Sequence, residues 1–356
     1  MPTGLEWNPT VDPSEVVRQT RDTLAAGAVV VLPGDAGYVA LATPVAAGKL
    51  GDPSPLAVLA YGPQDPVAFG VDVPEPVARL MARAWPAPLA FEFPAAGLTP
   101  PDGWQPAWGR LTATGFVRFR SPDHPLFDAV LSALDFPAIV AETFLPTAAA
   151  VAERLGEAVG LTVSAGTIEI GEKPTVLRCE NGTTTIAEPG AFSADEIEKL
   201  AARIVLFVCT GNTCRSPLAE GLAKRMLADK LGCGVGELPS RGFWLLSAGT
   251  SAWGGGAATP EAADVAAEFG ADLGSHQSRP VNPQLLIAAD DVIVMTQGHA
   301  AALVHQFGDY APPVKLLCGD DGDLEDPIGS GLEVYRACAA TIRRHLERII
   351  PEWVGT

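Results

Sequence analysis

Two rhythms of apolar and polar positions divide this chain. Over residues 14–26 the apolar side chains of SEVVRQTRDTLAA recur at helical spacing, which predicts a helix running into a strand over 28–32. A second helix is expected over 77–84, and WPAPLAFEF, 85–93, reads as a turn into a strand. Residues 115–119 alternate as a strand does, and 139–142 and 161–163 are shorter candidates. AEPGAFSADEIEKL, 187–200, closes this half as a helix that Ser193 can cap, with Glu196 completing a capping box.

After Ala202 the rhythm changes. A strand over 203–208 leads to a helix over 216–231, a strand over 243–247 to a helix over 260–269, and a strand over 290–295 to a helix over 297–306. A strand over 314–317 and a long helix over 332–350 follow. Strands alternating with helices imply a parallel, doubly wound sheet. The expectation is an α/β chain of two domains, mixed α/β over 1–200 and doubly wound over 201–356.

Composition narrows the classes. The 356 residues are 47% hydrophobic and 19% charged, enough to bury real cores. The formal net charge of −18 makes the chain a poor general binder of nucleic acid or anionic membrane, so an anionic substrate must be caught by a local positive site. MPTGLEWNPTVDPSEVV has neither a basic nor an apolar leader segment. The weakly charged stretch 25–48 is broken by Pro33, Gly34, Asp35, Gly37 and Pro44, so no membrane span is expected. Six scattered cysteines fit free thiols in a reducing, cytoplasmic setting. No His/Cys/Asp cluster has metal-ligand spacing, and no metal or other cofactor is expected.

One short stretch concentrates chemistry. In VLFVCTGNTCRSPLAEGL, 205–222, Cys209 falls where a parallel strand ends and a helix begins, the edge at which doubly wound sheets bind ligands. Thr210, Gly211, Asn212, Thr213 and Cys214 form a small loop in which Gly211 and Asn212 tolerate left-handed backbone, so successive N–H groups can turn inward as an anion nest. The helix from Ser216 adds free N–H groups and its positive dipole end, and Arg215 adds a planar fork suited to two phosphate oxygens. The same field favours the Cys209 thiolate, the attacking form, and Ser216 can donate to the sulfur. Cys-x5-Arg alone is a weak signal. The apolar strand, the Gly-Asn pair and the helix-opening Ser-Pro give it weight against a cysteine buried under an ordinary turn. Asp326, before Pro327, is the candidate general acid, although Asp-Pro is equally a turn signal.

CTGNTCRSP, 209–217, resembles the active-site loop of the low-molecular-weight protein tyrosine phosphatases. The resemblance continues through SAGTSAW (247–253), HQSRPV (276–281), DDVIVMT (290–296) and EDPIGSG (325–331). It implies a four-stranded parallel sheet and a two-step hydrolysis of a phosphorylated protein, with Cys209 as nucleophile, Arg215 as phosphate clamp and Asp326 as general acid and base. It also implies that Asn212 holds the loop's shape and that Trp253 flanks the substrate. Cys214 is a candidate to protect Cys209 through a reversible disulfide. Ile328 stands where tyrosine phosphatases of the family usually carry an aromatic residue. Thr213 resembles the protein-arginine phosphatases, in which this hydroxyl is thought to favour phosphoguanidinium. Trp253 argues for phosphotyrosine, the primary expectation, and Thr213 for phosphoarginine. Arsenate reductases share the loop, but the later cysteines here, Cys318 and Cys338, form no close pair.

The first half resembles the YrdC-like domain of threonylcarbamoyl-adenylate synthases through AAGAVVVLPGDAGYVAL (25–41), RAWPAPLAFEF (83–93), GFVRFRSPDHPL (115–126) and EKPTVLRC with AEPGAFS (172–193). Its signatures are eroded. Both threonines of Pro-Thr-Asp-Thr-x-Tyr are gone at 33–38, Ala141-Glu142-Thr143 replaces Ser-Ala-Asn, and nucleotide-contacting Lys and Arg are not evident near 49–56. A degenerate binding or scaffolding domain is expected, with Asp35, Tyr38 and Arg118 as candidates to line a remnant site. Threonylcarbamoyl-adenylate synthesis with an accessory phosphatase is the alternative. The acidic balance argues against nucleic acid, with double-stranded RNA or tRNA left open as partners of this domain.

Overall fold

The computed structural model describes residues 2–10, 12–51, 56–310 and 312–354. Residues 52–55, part of the stretch near 49–56, lie outside them. The chain divides into two compact units, Met1–Leu200 and Ala201–Thr356. Among the described residues no helix is long and apolar enough to cross a membrane.

The first unit is built on one mixed sheet. Its strands are β1 (Thr3–Glu6), β2 (Val29–Gly34), β3 (Gly37–Ala42), β4 (Leu56–Leu59), β5 (Leu89–Pro94), β6 (Phe116–Arg120), β7 (Ile139–Leu145), β8 (Val159–Ser164), β9 (Thr175–Glu180) and β10 (Thr183–Glu188). They lie in the order β1-β8-β2-β3-β7-β4-β6-β5-β9-β10. β2 and β3 pair antiparallel while β2 and β8 pair parallel, so the sheet is mixed. The helix at Ser14–Ala25 buries Val16 and Leu24 against Leu32, Val39 and Phe127. The closing helix, Ala194–Ala201, has the expected capping box: the Ser193 N–H donates to Glu196 Oε2 at 2.9 Å and the Glu196 N–H donates to Ser193 Oγ at 3.3 Å.

The second unit carries β11 (Arg203–Cys209), β12 (Phe243–Gly249), β13 (Asp291–Val294) and β14 (Val314–Leu316), all parallel, in the order β12-β11-β13-β14. β11 reads as a continuous apolar run because helices cover both faces. Its side chains alternate between two cores. Val205, Phe207 and Cys209 join Leu218 and Leu222 of helix Arg215–Leu231 and Tyr335, Ile342 and Leu346 of helix Leu332–Val354. Leu206 and Val208 face the other core, with Leu286 and Leu303. Three helices start on side-chain caps: Thr259 accepts from the Ala262 N–H, Asn282 from Leu285 and Thr296 from His299. The chain turns from β11 towards β12 on one side and β13 on the other, which places the 209–215 loop at the topological switch point.

Candidate active site

Cys209 ends β11 and is almost wholly buried. Asn212, three residues on, has φ +55°, a left-handed conformation that asparagine tolerates better than most residues. That turn aims its N–H at the Cys209 sulfur, 3.3 Å away. The rest of Asn212 locks the loop from below. Its Nδ2 donates to Ser216 Oγ and Ser247 Oγ, both at 2.9 Å, while its Oδ1 accepts from the Arg279 N–H at 2.9 Å. Its carbonyl accepts from His276 Nε2 at 2.8 Å. Ser247 in turn donates to Glu220 Oε2 at 2.6 Å. Because the Asn212 amide donates to Ser216, the Ser216 hydroxyl keeps its own proton to donate, and two acceptors lie within reach, Cys209 Sγ at 3.0 Å and the Ala248 carbonyl at 3.3 Å. The sulfur thus has the Asn212 N–H and the Ser216 hydroxyl within reach.

Gly249 ends β12 beside the loop. A Cβ there would come within 2.4 Å of the Thr210 carbonyl oxygen, so the close approach requires glycine. The following amides donate back, Thr250 to the Cys209 carbonyl at 2.9 Å and Ser251 to the Thr210 carbonyl at 3.0 Å. They hold the 250–256 segment against the loop, and Trp253 stands on it 89% exposed. Ile328 is also exposed.

Arg215 opens the helix and is 5% exposed. Its Nη1 donates to the Leu324 carbonyl at 3.3 Å, and its Nη2 pairs with Asp326 Oδ2 and reaches Thr210 Oγ1 at 3.5 Å. Its Nε is buried with no hydrogen-bond partner among the described residues. Asp326 sits on a loop anchored to the sheet by the Leu324 N–H, which donates to the Met295 carbonyl at 2.9 Å. The geometry therefore gathers Cys209, Arg215, Ser216 and Asp326, with a guanidinium donor left for a tetrahedral oxyanion. Among the described residues no group of three or more His, Cys, Asp or Glu is placed to hold a metal ion.

Sequence reasoning missed several members of this network. His299 Nε2 lies 2.9 Å from Thr210 Oγ1, and burial together with the Arg215 charge pushes its imidazole down to about 4. Tyr335 Oη lies 3.3 Å from Cys214 Sγ, and burial and that contact push the phenol up to about 12. Cys214 is buried and also lies 3.6 Å from Thr259 Oγ1. Cys318 and Cys338 are buried, and burial pushes the Cys338 thiol up to about 12.

The first unit holds a cavity of about 190 Å³ whose lining includes Arg118, Arg120, Glu142, Phe144, Lys173 and Glu188. Arg118 is there as expected, but Asp35 and Tyr38 are not among its lining residues. Tyr38 is fully buried, its hydroxyl donating to the Gly166 carbonyl at 2.7 Å and accepting from the Ala165 N–H at 2.8 Å. Asp35 is held by Arg120, at 2.5 and 2.7 Å.

Comparison with known proteins agrees with this architecture. The family model described as low molecular weight phosphotyrosine protein phosphatase matches residues 204–354, and the Sua5/YciO/YrdC model, described as telomere recombination, matches residues 22–190. A protein-arginine-phosphatase from Bacillus subtilis is 38% identical over 136 residues, covering 37% of this chain and 84% of that protein. A low molecular weight protein-tyrosine-phosphatase, PtpB of Staphylococcus haemolyticus, is 33% identical over 134 residues, covering 37% of this chain and 86% of that protein. The crystal structure of a YwlE mutant from Bacillus subtilis is 32% identical and covers 43% of this chain and 99% of that one, at a TM-score of 0.38. On the Bacillus subtilis and Staphylococcus haemolyticus relatives, together with the family model that spans β11 to the last helix, the chain belongs to the low-molecular-weight phosphotyrosine protein phosphatase family.

Proposed function

We propose that this chain removes phosphate from a phosphorylated protein side chain through a phosphocysteine on Cys209. The observation that carries the reading is one loop holding a sulfur with two donors and an arginine with an unspent Nε. The Cys209 thiolate attacks phosphorus, the bond to the leaving group breaks, and Asp326 gives that group its proton. The loop amides and Arg215 hold the remaining phosphoryl oxygens. Water then attacks phosphorus as Asp326 takes up its proton, and the P–S bond breaks to return the thiolate and inorganic phosphate. Before substrate arrives, Asp326 occupies Arg215. A phosphoryl dianion takes over the guanidinium and frees the Asp326 carboxyl to face the leaving group.

Phosphotyrosine is the primary substrate reading, because Trp253 stands exposed on the segment bonded to the loop, available to stack on an aromatic ring. Phosphoarginine is the second reading. It is favoured by Thr213 and by the Bacillus subtilis relative, and Ile328 offers no second aromatic wall. Arsenate reduction is the weaker alternative, since buried Cys338, held as a thiol, is a poor resolving nucleophile. The first unit is read as degenerate, a binding or scaffolding domain, because its Arg120 is committed to internal partners; threonylcarbamoyl-adenylate synthesis is the competing reading there. Matched phosphotyrosine, phosphoarginine and phosphoserine peptides test the proposal. Turnover should be lost by on the order of 10⁴-fold or more in Cys209→Ser. Retained turnover in that variant overturns the mechanism, and the preferred peptide decides between the two substrates.

A further inference from the structure

The network around Cys209 leaves the Thr210 hydroxyl unassigned as a donor. We propose that the Thr210 hydroxyl donates its proton to the bound phosphoryl group, and that His299 is the positioning residue that keeps this proton free. The proposal rests on the phosphatase reading above and adds a side-chain donor to the loop amides.

The argument is a count of protons. His299 is buried, with Nδ1 2.8 Å from Thr296 Oγ1 and Nε2 2.9 Å from Thr210 Oγ1. Its backbone N–H donates to Thr296 Oγ1 at 3.2 Å. Burial and the neighbouring Arg215 charge keep the imidazole neutral at ordinary pH, so it carries one N–H. Two arrangements follow. With the proton on Nδ1, the ring and the backbone both donate to Thr296, Thr210 surrenders its proton to Nε2, and the Thr296 proton has no acceptor among the described residues. With the proton on Nε2, Thr296 donates to Nδ1 while accepting from the backbone. Thr210 Oγ1 then accepts from Nε2–H and from Arg215 Nη2 at 3.5 Å, and its own proton is left over. Thr296 is half-buried and Thr210 is exposed. A proton without a partner costs more in the half-buried place, which selects the Nε2–H arrangement. Thr210 then presents a hydroxyl proton beside the arginine that clamps phosphate, fixed by two donors that both require its oxygen to accept.

Nitrogen NMR of the full chain labelled at histidine tests the tautomer directly. The expected result is Nε2–H at His299 near neutral pH. An Nδ1–H signature overturns the proposal whatever the enzyme's turnover. Binding of inorganic phosphate tests the second half. Thr210→Val should weaken it about tenfold, the effect of losing one hydrogen bond to a charged group. His299→Leu should cost the same, the double variant no more than either single one, and His299→Gln, which keeps an amide donor, should recover most of the affinity. Unchanged binding in Thr210→Val, or additive losses in the double variant, overturns it. Failure of the phosphatase reading itself shows elsewhere, as turnover retained by Cys209→Ser, with the His299 tautomer unaffected.

Discussion

Arg120 in the first unit and Arg215 in the second are buried to nearly the same degree, 1% and 5% exposed, yet they use their donors differently. Arg120 grips both Asp35 oxygens, reaches Glu142 at 3.1 Å, and donates to the Ser121 carbonyl at 2.8 Å and to the Ala87 carbonyl. Its two carboxylate partners are themselves buried, with side chains 8% and 9% exposed. Arg215 pairs with a carboxylate whose side chain is 41% exposed, and its Nε has no partner among the described residues. Burial alone therefore does not separate a structural arginine from a binding one. The separation lies in whether a donor is unspent and whether the resident partner can leave.

This contrast can be broken by experiment. Arg120→Met should leave phosphatase turnover unchanged while destabilising the first unit by about 3–5 kcal/mol, because Asp35 and Glu142 lose their buried counter-charge. Chemical unfolding followed by probes in each unit reads this, and lost turnover would erase the distinction. Arg215→Lys should do the reverse, lowering kcat/KM about 10²–10³-fold with little change in unfolding, because a point charge replaces a fork. A smaller effect sharpens the second unit's side of the comparison. His299 has its folded value near 4 against an ordinary 6.5, so between those values the unfolded chain binds the extra proton. Stability of the second unit should be full above about pH 6.5 and fall as pH drops towards 4, and His299→Gln should flatten that window in acid titrations. The smallest effect concerns protection rather than rate. After mild peroxide, wild type should show a Cys209–Cys214 link by mass mapping and then recover turnover when thiol reduces that link, while Cys214→Ser should stay inactive after thiol. Equal recovery by both would remove the guarding role of Cys214.

The loop was legible in the sequence because its chemistry is contiguous: strand, nest, arginine and helix start lie within a dozen or so residues. Asp326 needed the family resemblance, since Asp-Pro is also a turn. His299, Tyr335 and Ser247 were not legible, because each sits on a separate element and gains its role only when the fold brings those elements to Thr210, Cys214 or Asn212; Glu220, on the helix the loop opens, gains its role only through Ser247. In the first unit β3 and β4 escaped notice. Both are short and buried along their whole length, so they show no alternation. The β9–β10 hairpin did leave a signal, Asn181-Gly182, both at positive φ in the turn. Tyr38 misled for a related reason: a tyrosine within a family signature reads as a ligand contact, whereas both of its hydrogen bonds are spent on the backbone at Ala165 and Gly166.

On the proposed mechanism, the Arg215–Asp326 pair sets an entry condition on what the loop accepts. A newcomer must offer the guanidinium more than a single carboxylate charge already does. A terminal phosphoryl group, with two negative charges and three free oxygens, meets that condition. A phosphodiester, with one charge and two blocked oxygens, gains nothing over the aspartate it must evict. On that mechanism the loop filters by valence before any side chain of the substrate is read.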